Sequence, residues 1–148
     1  HVDLGYNYRM TNMQAAIGLA QIEKLDEILS LRKKQMDYYY NTLANVDGLK
    51  LRKYAEWCDP VHWLMTITLD NEYDRDTFLD YMKNNGIDCR QMINPVHHAN
   101  HFNSQFTGDD FFNSVNISKQ SVHLPSGLAL TEKDISTISN AVKNYYIP

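Results

Sequence analysis

A chain of 148 residues with 43% hydrophobic and 22% charged side chains has the size and make-up of one globular domain built on a single core. Its net charge of −4 argues against nucleic acid as a partner, because phosphate backbones are met by basic faces. No apolar run approaches the length of a membrane span, and no secretory leader is legible, so neither a membrane nor export is expected.

Cys58 and Cys89 are the only cysteines, with no C-x-x-C pair for structural zinc. A domain of this size does not need a disulfide staple, so two free thiols in a reducing, cytoplasmic setting are expected. The first residue is His1 rather than Met, and the sequence reads as a piece of a longer polypeptide.

In chain order, residues 1–12 read as an irregular, polar and aromatic lead-in. Thr11, followed three residues later by Gln14, forms a capping box that opens a helix. Met13, Ile17, Ala20, Ile28 and Leu31, with Leu25 beside them, recur at helical spacing and predict one apolar stripe. Ala15, Ala16, Gly18 and Ala20 are small enough for another backbone to approach closely. With no glycine or proline from Leu19 to Val46, one long helix over residues 12–44 is expected. Its tyrosines, Tyr38 to Tyr40, suit the wall of a helix packed on a sheet.

Residues 45–148 then predict a small α+β unit. Leu49 and Leu51 mark a short strand, and His62 to Leu69 a clearer one with Trp63, Met65, Ile67 and Leu69 on its buried face. Asp74 caps a helix carrying Phe78, Leu79 and Met82, and Gly86 stands where a C-terminal glycine belongs. Ile87 to Gln91 reads as a strand, Asp110 to Ser118 as a short helix, and Val122 to Leu124 as a brief strand. Thr131 and Asp134 cap the closing helix, which buries Ile135, Ile138, Val142 and Tyr145. The fold class is therefore α+β, with helices laid on a small, mostly antiparallel sheet.

His97, His98 and His101 raise a metal reading, since residues four apart share a helix face. Pro95 lies just ahead and no carboxylate follows at ligand distance, so no metal is expected. His62 and His123 flank strands and read as structural, and Trp63 as core. No role is assigned to Trp57.

The segment G-Y-N-Y-R-M-T, from Gly5 to Thr11, runs into Q-A-A-I-G-L-A-Q, from Gln14 to Gln21. It closely resembles the DegT/DnrJ/EryC1/StrS family of sugar aminotransferases, enzymes that use pyridoxal 5′-phosphate (PLP) to aminate nucleotide-linked keto sugars. The resemblance continues through Arg75–Ile87, Asn94-Pro95-Val96-His97, His123-Leu124-Pro125-Ser126 and Leu130-Thr131-Glu132. Valine stands at position 96 where the family's Pro-Leu-His loop has leucine. It implies the small C-terminal domain of a fold-type I PLP enzyme, with the large cofactor-binding domain outside this chain. None of the lysines here matches the family's Schiff-base lysine, and Lys24, Lys33 and Lys34 read as helix surface. The chain alone is therefore expected to be inactive, with no catalytic residue of its own.

By the same resemblance, residues 1–12 form an active-site loop that reaches across a homodimer. Asn7 would donate its amide to the PLP phosphate of the other subunit. Arg9 would approach that phosphate or the sugar diphosphate, or else form an ion pair that pins the loop. Tyr6 and Tyr8 pack the loop, and His97 hydrogen-bonds the bound sugar. The implied partners are a nucleotide-linked 4-keto-6-deoxyhexose and an amino-acid donor, typically glutamate. Two rivals remain: a family relative without the lysine, acting as a dehydratase or sensor, and a non-catalytic dimerisation module.

Overall fold

The computed structural model describes residues 5–70, 74–100, 102 and 111–146. The first helix, α1 (Asn12–Ile22), opens on the expected reciprocal cap. The Thr11 N–H donates to Gln14 Oε1 at 2.8 Å, and the Gln14 N–H donates to Thr11 Oγ1 at 3.3 Å. The helix does not run through to residue 44 uninterrupted. At Glu23 and Lys24 the ladder tightens, with the Lys24 N–H donating to the Gln21 carbonyl three residues back, and α2 (Leu25–Leu43) restarts beyond it. Asp26 and Glu27 stand in the first turn of α2, where carboxylates favour a helix start.

None of the residues of the expected apolar stripe is buried in this chain, and Leu25 and Leu31 are still 45% and 39% exposed beyond the break. Nothing in α1 is buried, and Met13 and Ile17 are 79% and 66% exposed. The core is met instead by other residues further along α2, Met36, Tyr39 and Leu43.

The sheet has the order β1-β2-β4-β3, with every neighbouring pair antiparallel. Its strands are β1 (Leu49–Leu51), β2 (Met65–Leu69), β3 (Arg90–Gln91) and β4 (Ser121–Leu124). Register assigns the two faces. Met65 pairs with Leu124 and Ile67 with Val122, and all four are buried in the core. Thr66 pairs with His123 and Thr68 with Ser121, which makes the opposite face polar but internally bonded. Helix α3 (Arg75–Asn84) adds Phe78 and Met82 to the core, and α5 (Glu132–Tyr146) adds Ile135, Ile138 and Val142. Helix α4 (Phe112–Gln120) leads directly into β4.

Two strand expectations shorten. Trp63 is 64% exposed rather than core, because pairing begins only at Met65. Ahead of that point the Trp63 N–H turns back to the Val61 carbonyl. Ile87 is buried, yet it lies outside β3, held in a Schellman turn in which Gly86 takes φ +75°. The remaining caps are as expected: Asp74 accepts the Thr77 N–H at 2.7 Å, and Thr131 and Asp134 cap α5 reciprocally.

Buried polar groups of α2 fix the turn that follows β4. Gln35 Nε2 donates to the carbonyls of Gly127, Leu128 and Leu130, and the Tyr39 hydroxyl donates to that of Pro125 at 2.8 Å. Arg32 donates to the carbonyls of Trp63 and Ser126. Ser126 Oγ in turn accepts the Met65 N–H and donates to the Leu124 carbonyl, both at 2.8 Å. The Leu-Pro-Ser turn therefore closes the sheet onto the long helical arm. Among the described residues no helix is long and apolar enough to cross a membrane.

Candidate functional site

The loop from Gly5 to Met10 has no regular structure and is exposed throughout. It ends on the Thr11 cap, so the first turn of α1 fixes where its last residues point. Asn7 and Arg9 line one shallow recess of about 560 Å³ together with Tyr8, Met10 and Gln14. Among the described residues no acidic side chain borders it. Among the described residues neither Asn7 nor Arg9 makes a hydrogen bond or an ion pair. That disfavours the reading in which Arg9 pins the loop. An amide and a guanidinium on one surface form a donor set suited to a phosphate dianion, and the residues present fit the phosphate end of PLP. Tyr6 and Tyr8 do not pack the loop within this chain; they are 79% and 83% exposed.

His97 lies elsewhere, in a short 3-10 turn (Val96–His98) that follows Pro95. It lines a cleft of about 470 Å³ whose walls are mainly apolar, among them Ile93, Val96, Phe111 and Ile117. The imidazole stacks on Phe111 with ring centroids 4.5 Å apart and planes inclined by 27°. Ser114 and Ser118 supply hydroxyls at the cleft, and Ser118 is held by donating to the Ile93 carbonyl. Such a site sets an imidazole and two hydroxyls among mainly apolar walls, which suits a ligand with hydroxyls better than a free anion.

His98 stands edge-on to His97 at 4.5 Å, and the turn stops there, so the spacing of four does not place His97 and His101 on one helix. His101 lies outside the described residues. Among the described residues no group of three or more His, Cys, Asp or Glu side chains is arranged to hold a metal ion.

The other titratable groups belong to the scaffold. His123 Nδ1 is 2.9 Å from Thr66 Oγ1, and burial holds its pKa below the usual histidine range. His62 meets Tyr54 edge-on. Cys58 and Cys89 are both free, and burial, with Asp88 adding to it, pushes the Cys89 thiol up to about 12. Lys33 pairs with Asp37 at 3.1 Å on the α2 surface.

Asn7 and Arg9 line one recess, while His97 lines a second, separate cleft. Sequence reasoning did not find Gln14 at the recess or Phe111 beneath His97. Gln14 has a local signal, its place three residues after Thr11. Phe111 has none, since only the tertiary fold brings it to His97.

The chain is similar to known proteins along most of its length. The sequence pattern of the DegT/DnrJ/EryC1/StrS aminotransferase family matches residues 1–143. The chain is 33% identical to a GDP-perosamine synthase of Vibrio cholerae, over 99% of this chain and 40% of that protein. It is 31% identical to a GDP-perosamine synthase of Caulobacter vibrioides, over 94% of this chain and 38% of that protein. The crystal structure of DesV from S. venezuelae superposes with a TM-score of 0.86 at 25% identity, covering 97% of this chain and 38% of DesV. The chain thus spans about 40% of the length of the curated relatives it matches. By residue order and by fold together, it belongs to the DegT/DnrJ/EryC1/StrS aminotransferase family.

Proposed function

We propose that the assembled protein carrying this chain is a PLP-dependent aminotransferase. It moves an amino group from an amino acid, typically glutamate, onto a nucleotide-linked 4-keto-6-deoxyhexose and so makes the 4-amino sugar. The observation that carries this reading is the pairing of Asn7 and Arg9 on one recess, directly ahead of a capped helix, in a chain whose family match runs along residues 1–143. The relatives that make GDP-perosamine support a nucleotide-linked amino sugar as product.

When bound, PLP stores the amino group and takes up the electron pair released at the reacting carbon. This chain's share is binding and orientation. Asn7 donates its amide to the phosphate of a neighbouring subunit's cofactor in a homodimer, and Arg9 neutralises that phosphate or the sugar diphosphate. The His97 imidazole hydrogen-bonds a sugar hydroxyl. The lysine that moves the proton comes from outside this chain, so the 148 residues alone do not transaminate.

The test supplies the assembled protein with PLP, glutamate and a nucleotide-linked 4-keto-6-deoxyhexose, then follows products by mass spectrometry. Equal yields of 4-amino sugar and 2-oxoglutarate are expected, whereas a dehydrated sugar without new nitrogen would mark a dehydratase and overturn the reading. Asn7→Ala should weaken PLP retention by about tenfold or more, the worth of one charge-assisted hydrogen bond. The dimer should remain intact. Loss of the dimer with normal PLP affinity would reverse the assignment of Asn7.

A further inference from the structure

Gln14 occupies two sites at once. Its Oε1 is the reciprocal half of the α1 cap, accepting the Thr11 N–H at 2.8 Å and the Thr11 hydroxyl at 3.2 Å. A backbone N–H can only donate, so the carbonyl end of the side-chain amide must be the end that meets Thr11. That fixes which way the amide is flipped. The opposite end, Nε2 with its two donors, has no partner among the described residues, and the side chain lines the same recess as Asn7 and Arg9.

We infer that Gln14 is a further phosphate-binding residue of this site, its amide locked by the Thr11 cap so that Nε2 joins Asn7 and Arg9 as a donor to the anion. The inference rests on the phosphate reading of Asn7 and Arg9 and extends it. It also gives a physical reason for glutamine at this position. A capping box accepts glutamate or glutamine, because only a carbonyl-type oxygen is needed to accept the cap N–H. For the helix alone glutamate is the better residue, since a carboxylate in the first turn is electrostatically favoured. At an anion site the preference inverts. Glutamine turns two donors toward the phosphate, whereas glutamate turns a second anion toward it.

The decisive variant is therefore Gln14→Glu, which preserves the cap and removes the donors. The assembled apoprotein is titrated with PLP and, in parallel, with pyridoxal, which lacks the phosphate. Asn7→Ala serves as the reference, and thermal unfolding is recorded for each protein. Gln14→Glu is expected to weaken PLP binding by about tenfold or more, the effect of exchanging a charge-assisted hydrogen bond for a like-charge contact. Its pyridoxal binding and thermal midpoint should match the parent's. A Gln14→Glu protein that binds PLP normally while Asn7→Ala does not would overturn the role of Gln14 and leave that of Asn7 standing. Equal losses toward PLP and pyridoxal would overturn it as well, reducing Gln14 to a residue that shapes the loop. Normal PLP binding in both variants would remove the phosphate reading of the whole recess.

Discussion

His123 shows how a single side chain fixes the pH range in which the sheet is stable. It is 8% exposed, bonded to Thr66 through Nδ1, and its buried Nε2 has no partner among the described residues. Whichever ring nitrogen carries the proton, one edge of the ring remains unsatisfied, a cost of about 1–3 kcal/mol. A second proton would add buried charge, so burial lowers the folded pKa below the ordinary 6.5. The unfolded chain then binds more protons than the folded one below about 6.5, and stability falls as pH drops through that window. Asp74 and Asp134 are held below the usual carboxylate range chiefly by hydrogen bonds from Thr77 and Thr131, so their contributions are lost only at lower pH. Urea unfolding at pH 7.5 and 5.5 should show the parent losing stability, and His123→Gln should flatten that slope by up to about 1.4 kcal/mol per pH unit. An unchanged slope would place the titration elsewhere. Asn7 and Arg9 have the reverse legibility: nothing in their local chemistry marks them, and only resemblance to a family picks them out.

Elements were legible where their ends are made by neighbouring residues. The caps at Thr11, Asp74 and Thr131 each join residues three apart, so sequence alone places them. The end of α3 is equally local. The Gly86 N–H donates to the Lys83 carbonyl and the Ile87 N–H to that of Met82, which requires the left-handed backbone at Gly86. A Cβ built there meets nothing within 4 Å, so Gly86→Ala costs only backbone strain, about 1 kcal/mol, without a clash. Thermal unfolding should show that loss, with Gly86→Asn falling between alanine and the parent because asparagine tolerates this conformation; an alanine variant as stable as the parent would refute it. Trp63 and the shortness of β3 were not legible for the complementary reason. A strand ends where its partner stops pairing: β2 begins only at Met65, opposite Leu124 of β4, and β3 keeps just the two pairs Arg90–His123 and Gln91–Val122. The split between α1 and α2 lacks the glycine or proline that usually announces one, and only the carboxylates Asp26 and Glu27 hint at it.

At the scale of the molecule, α1 conflicts with its own surroundings. Its sequence, Asn12–Ile22, is apolar apart from Asn12, Gln14 and Gln21, and a helix apolar nearly all round is normally a buried one. Within this chain it buries no residue, and Ile22 and Leu25 beyond it are 65% and 45% exposed. Contiguous apolar surface of that kind marks an interface, and in the proposed homodimer α1 carries the loop with Asn7 and Arg9 toward the other subunit. Gly18 separates the helix's own needs from those of assembly. A Cβ added there meets nothing within 4 Å beyond its own helix, and glycine is the poorest helix former after proline. Gly18→Phe should therefore leave the thermal unfolding of the α+β core unchanged while shifting the assembled protein toward smaller species in sedimentation. PLP retention should fall with the dimer, since the donors of the recess reach the cofactor only through it. A dimer that tolerates phenylalanine at position 18 would show that this face of α1 meets solvent, and Asn7 and Arg9 would then have to serve their own subunit.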